Sequence, residues 1–131
     1  MISQLDNKYV VGITVNDAND EIIFQVKDSP DSGVVEQYKM YHDRNCCESV
    51  YIEDITGNIQ DLVGQQILSA TENTSSDLPA KDEYDDSHTW TFYNIRTLKD
   101  TITIRWYGTS NGYYSERVDV VRVDDTLAFE D

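Results

Sequence analysis

The chain has 131 residues, 39% of them hydrophobic and 11% aromatic, which is enough apolar side chain for one domain with a real core. Ten lysines and arginines stand against twenty-five aspartates and glutamates, a formal net charge of −15 at pH 7. Such a charge repels phosphate backbones and argues against ordinary nucleic-acid binding unless a local basic patch overrides the field.

The opening MISQLDNKYV has neither a basic stretch nor a long apolar run. No leader peptide and no membrane span are expected, and a cytoplasmic location is. Tyr9–Val15 and Glu21–Lys27 are apolar and β-branched and read as strands. The turn DSPDSG leads to a third strand over Val34–Tyr41, so the first three strands are expected to form an antiparallel meander.

Val50, Tyr51, Ile52 and Ile55 favour a further strand. TGNIQDLV, residues 56–63, reads as a short helix capped by Thr56 or Asn58 and stopped near Gly64. Gln65–Thr71 returns to strand, and residues 73–87 have the composition of a mobile acidic loop. His88–Ile95, Thr101–Tyr107 and Tyr113–Val123 are the last predicted strands, followed by an acidic tail over 124–131. The expected fold class is therefore α+β and mostly β: antiparallel meander sheets of about six to seven strands with one short helix, in a single domain over 1–131.

The stretch TITIRWYGTSNGYYSERVDV carries two of the five arginines beside four aromatic residues. Alternation puts Ile102, Ile104 and Trp106 on a core face and Thr103, Arg105 and Tyr107 on the other. A three-residue Ser110-Asn111-Gly112 turn with a left-handed Gly112 would set Ile104 against Val118 and Ile102 against Val120. Arg105 would then lie directly opposite Arg117. The tight loop Leu98-Lys99-Asp100 would pair Phe92 with Trp106 in the core and bring Tyr93 beside Arg105, with Thr91, Tyr107 and Ser115 in the next row.

Two readings of this row are open. Paired guanidiniums can grip a phosphate or pyrophosphate, with tyrosines stacking on a base. Alternatively, Asp119 neutralises Arg105 and cation–π contact with Tyr93 stabilises the face.

Cys46 and Cys47 are adjacent. In a strand they would point to opposite faces, so two reduced thiols are expected, at least one of them buried. A metal or nucleophile reading of His42, Asp43, Cys46, Cys47 and Glu48 lacks the ligand spacings such sites need. There is no GxGxxG, GxxxxGK[ST] or GxSxG, so no cofactor and no catalytic residue is expected.

NCCESVYIEDITGNIQDLVGQQIL followed by WTFYNIRTLKDTITIRWYGTSNGYYSE resembles a group of small phage and prophage proteins, mostly domains of unknown function. The resemblance spans roughly residues 40–120 and rests on the double cysteine before glutamate and the late Asn-Gly-Tyr-Tyr. More distantly, the group is similar to phage anti-Thoeris sponges, oligomers that sequester cyclic ADP-ribose isomers without cleaving them. That similarity implies a binding protein whose contacts are Arg105, Arg117, Tyr93, Asn94, Tyr107, Asn111 and Tyr113, completed by a neighbouring copy in a homo-oligomer. The other expectation, from charge, is an acidic phage inhibitor of the anti-CRISPR kind, docking on the basic nucleic-acid channel of a host defence enzyme.

Overall fold

The computed structural model describes residues 2–123. Eight strands form among them: β1 (Tyr9–Val15), β2 (Glu21–Lys27), β3 (Glu36–Tyr41), β4 (Ser49–Thr56), β5 (Ser69–Ser75), β6 (Ser87–Arg96), β7 (Thr101–Ser110) and β8 (Asp119–Val123). They make two four-stranded antiparallel sheets, in the orders β1-β2-β3-β8 and β4-β7-β6-β5. The expected meander β1-β2-β3 is present. The strand number exceeds the expected six to seven. The expected helix is only a 3-10 turn over Ile59–Leu62, whose capping residue is Asn58, with its side chain accepting the Gln60 N–H. Another 3-10 turn spans Ile2–Leu5. The predicted acidic tail lies outside the described residues.

Period-two alternation fixes which face each strand buries. Ile22, Phe24 and Val26 of β2, Met40 of β3 and Ile102, Ile104 and Trp106 of β7 have no exposed surface and meet in one core between the sheets. The Trp106 indole Nε1 donates across that core to Met40 Sδ at 3.3 Å. At one end Asn19, with φ at 57° in the β1–β2 turn, presents its carbonyl to the Ile52 N–H of β4 at 2.6 Å. Along the far edge of β1, the Gln65 and Ile67 backbone bonds to Val10 and Lys8. Part of the predicted Gln65–Thr71 strand is thus used as a strap between sheets, and β5 starts only at Ser69.

Two expectations about strand pairing are corrected. The loop between β6 and β7 has four residues, Thr97–Asp100, not three. Thr97 Oγ1 accepts the Lys99 and Asp100 N–H groups at 3.2 Å each, and the Thr97 N–H bonds the Asp100 carbonyl at 2.9 Å, which closes the longer turn. One residue of slip reverses the faces of β6. Phe92 therefore pairs with Arg105, Thr91 with Trp106 and Tyr93 with Ile104.

Secondly, β7 and β8 are not a hairpin. Gly112 does adopt the left-handed conformation, with φ at 90°. The chain beyond it crosses from one sheet to the other and places β8 beside β3.

That crossing needs a glycine. A Cβ on Gly108 would sit 3.0 Å from the Glu116 carbonyl oxygen and 3.2 Å from Val50 Cγ2. Gly108→Ala should cost about 1–3 kcal/mol by overpacking, because backbone moves less readily than a side chain. Thermal unfolding of the variant measures it. An unchanged midpoint would mean that the 111–118 crossing is not held against β7.

Candidate anion-binding groove

The predicted contacts scatter. Arg105 stays on the outer face of the second sheet, where its Nε donates to Glu53 Oε1 at 2.8 Å, with Asp54 at 3.6 Å. A bulge between Ile52 and Asp54 supplies Glu53 as the extra residue. The guanidinium also lies 5.6 Å from the Trp90 ring centre, so cation–π contact exists but with Trp90 in place of Tyr93. Arg105 in turn holds the Glu53 carboxyl below the ordinary carboxylate range.

Tyr93 is a core residue with no exposed surface, and its hydroxyl donates to the Val118 carbonyl at 3.3 Å. Burial pushes its phenol well above the ordinary value. Asn94 is on the outer face and accepts from Thr103 Oγ1 at 2.8 Å. Asn111 closes its own turn by accepting the Tyr113 N–H, and Tyr113 is exposed, its ring edge-to-face with Tyr114 at 5.0 Å.

Tyr107 is on the predicted outer face yet buried. The acidic segment covers it. Residues 73–75 belong to β5, and the following loop folds back over the sheet. The Tyr107 hydroxyl accepts the Lys81 N–H at 2.9 Å and donates to Asp85 at 2.6 Å, while Trp90 Nε1 donates to the Pro79 carbonyl at 3.0 Å. Burial and the Asp85 bond push the Tyr107 phenol up to about 12. The loop expected to be mobile is therefore pinned.

The thiol expectation is also corrected. Cys46 and Cys47 are joined as a disulfide and both are exposed. They lie in an irregular segment before β4, where the opposite-face rule for strands does not apply. The turn they close aims N–H groups at Glu48. This carboxylate is buried and accepts from the Asn45 and Cys46 N–H groups and from His42 Nε2, each at 2.9 Å. Those bonds, the Asn45 one foremost, lower its pKa to about 2. His42 Nδ1 lies 2.6 Å from the Arg117 carbonyl. The ring thereby bridges Glu48 to the backbone of residue 117. Among the described residues no group of three or more metal-ligating side chains forms.

This network is the wall of a groove that the sequence reading missed. A cleft of about 530 Å³ lies between the β1–β2 turn and β4, lined by Asp20, Glu21, Tyr41, Arg44 and Tyr51 among others. It shares His42, Arg44 and Glu48 with a second cleft of about 290 Å³, which adds Asp43, Arg117 and Asp119. The second shares Ser115 and Arg117 with a third of about 500 Å³. Arg117 pairs with Asp119 at 3.0 Å and its side chain is 74% exposed. Arg44 donates from Nε to the Cys46 carbonyl at 3.0 Å and pairs with no carboxylate among the described residues.

Arg117 was found in the sequence with the wrong companion. Arg44 carried no signal there, because the crossing that brings 111–118 against the double-cysteine turn is a long-range contact. The middle cleft brings two exposed guanidiniums beside the carboxylates of Asp43, Glu48 and Asp119, so it can offer cationic donors to an anion and acceptors to neighbouring hydroxyls.

No described helix is long and apolar enough to cross a membrane. Comparison with curated proteins and with solved structures finds no match. The profile of a domain of unknown function, DUF7448, matches residues 4–120, and the chain belongs to that family.

Proposed function

We propose that this protein binds and sequesters a nucleotide-derived small molecule, a cyclic ADP-ribose isomer or relative, and does not cleave it. The carrying observation is the middle cleft, where Arg44 and Arg117 border one space in a protein otherwise dominated by carboxylates. Guanidiniums suit a pyrophosphate. Carboxylates suit ribose hydroxyls, as in dinucleotide folds, and Tyr41, Tyr51 and Tyr114 border the outer clefts. The resemblance to phage counter-defence sponges supplies the biological setting: a phage protein in the bacterial cytoplasm, acting as a homo-oligomer on an immune signal.

Thermal unfolding with ADP-ribose and with cyclic ADP-ribose isomers tests this. A ligand at 100 times its Kd stabilises by about 2.7 kcal/mol. Arg44→Ala with Arg117→Ala should abolish the shift, and Arg105→Ala should retain it, because Arg105 is committed to Glu53. Mass spectrometry should recover the ligand unchanged after heat denaturation. No shift with any of these ligands refutes the proposal.

The pinned acidic loop favours a second reading. Asp77, Asp82, Glu83 and Asp86 are exposed on it, around Tyr84, which is 83% exposed. This pattern supports docking on a basic nucleic-acid channel of a host defence enzyme. Such binding would weaken with salt and compete with DNA or RNA. Pulldown from host lysate that recovers no nucleic-acid enzyme argues against it.

A further inference from the structure

The inner face of the second sheet changes character along its length. Ladder partners across β6 and β7 run Ile95–Ile102, Tyr93–Ile104, Thr91–Trp106, Thr89–Gly108 and Ser87–Ser110. The β5 partners on the same face are Ala70, Glu72 and Thr74. The first rows are core. The last rows carry hydroxyls at positions where a two-sheet protein ordinarily continues its aliphatic packing.

The 111–118 crossing lies over the last of these rows, and Glu116 is its anchor. This buried carboxylate accepts from Thr89 Oγ1 at 2.7 Å and from Ser110 Oγ at 2.6 Å. What remains open is the third cleft, about 500 Å³, with Glu72, Thr74, Ser87 and Tyr114 in its lining and Arg117 at its junction with the middle cleft. The side-chain hydroxyls of Thr74 and Ser87 make no hydrogen bond among the described residues.

We infer that this third cleft is a pentose subsite, taking the ribose of a ligand whose phosphate sits at Arg117. The inference rests on the proposed binding function and specifies its ligand. A ribose hydroxyl both donates and accepts. The cleft offers both halves: remaining lone pairs of the carboxylates of Glu72, which also meets the Tyr93 hydroxyl, and Glu116 to accept, and the uncommitted hydroxyls of Thr74 and Ser87 to donate. An apolar ligand would strand these groups, and a bare phosphate would meet two carboxylates and only one guanidinium. A sugar joined to phosphate satisfies both ends of the cleft.

Calorimetry with inorganic pyrophosphate and with ADP-ribose separates this claim from the one beneath it. Wild-type protein should bind ADP-ribose at least about tenfold more tightly than pyrophosphate, the equivalent of one or two added hydrogen bonds. Thr74→Val with Ser87→Ala should lose that advantage and leave pyrophosphate affinity within about twofold, which also reports an intact fold. Arg44→Ala should weaken both ligands. If pyrophosphate binds and needs Arg44, but the ribosyl part adds nothing or survives the double substitution, the pentose subsite is wrong and the anion site stands. If neither compound binds, both fall.

Discussion

Replacing Trp106 by alanine should cost about 3–5 kcal/mol, a large share of the 5–15 kcal/mol that separates a folded domain from its unfolded chain. Trp106 is the largest fully buried side chain. It sits on β7 between Ile52 of β4 and Thr91 of β6, and its indole reaches Met40 of β3 in the other sheet. Removing it opens a cavity against both sheets and deletes the contact to Met40 across the core. Urea unfolding measures the loss as a fall in midpoint with little change in slope. Trp106→Phe should cost less, since it keeps most of the volume and loses mainly the N–H contact to sulfur. A loss of less than about 1 kcal/mol for the alanine variant would mean that the sheets do not meet through Trp106.

Much of the strand pattern was legible in the sequence because it is local. Tyr9–Val15 and Glu21–Lys27 match β1 and β2 residue for residue, since alternation and flanking turn residues suffice to place them. Val118 and Val120 are buried as expected, yet their alternation holds whichever strand lies beside them. Nothing local says that β8 joins β3, that β7 runs on through Ser110, or that the expected Tyr113–Val123 strand begins only at Asp119, and the predicted hairpin fails on these points.

The phase of β6 failed for a smaller reason. Trp90 and Phe92 look like core residues, and Thr91 does not. The Thr97 hydroxyl closes a turn one residue longer than expected, which turns the aromatics outward. That is tolerable only because the pinned acidic loop shelters the outer face near Trp90 and Tyr107. The groove was invisible for the same kind of reason, since Arg44 and Arg117 lie far apart in sequence and share a cleft only through the crossing.

Glu48→Gln should remove the anchor of that groove and alter the protein's response to acid. The glutamate oxygens face three donors: Oε2 takes the His42 ring and the Asn45 N–H, and Oε1 takes the Cys46 N–H. An amide has only one acceptor oxygen. Its NH₂ would face a donor whichever way it is turned, leaving buried polar groups unmatched. The wild-type carboxyl is lowered to about 2 from an unfolded value near 4.5. A depressed folded value means that its stabilisation is fully present above about pH 4.5 and is lost as pH falls from there towards 2. Melting temperatures taken from pH 6 down to pH 2 should show the variant less stable at pH 6, above the window in which Glu48 titrates. Its curve should be flatter in the acid range, with the two proteins converging near pH 2. Parallel curves would mean that Glu48 is not the titrating anchor. Because His42 ties Glu48 to the Arg117 carbonyl, the variant should also bind pyrophosphate more weakly at pH 7, although Glu48 itself repels anions. A rise in affinity would mean that the carboxylate acts on the groove through its charge and not by holding Arg117 in position.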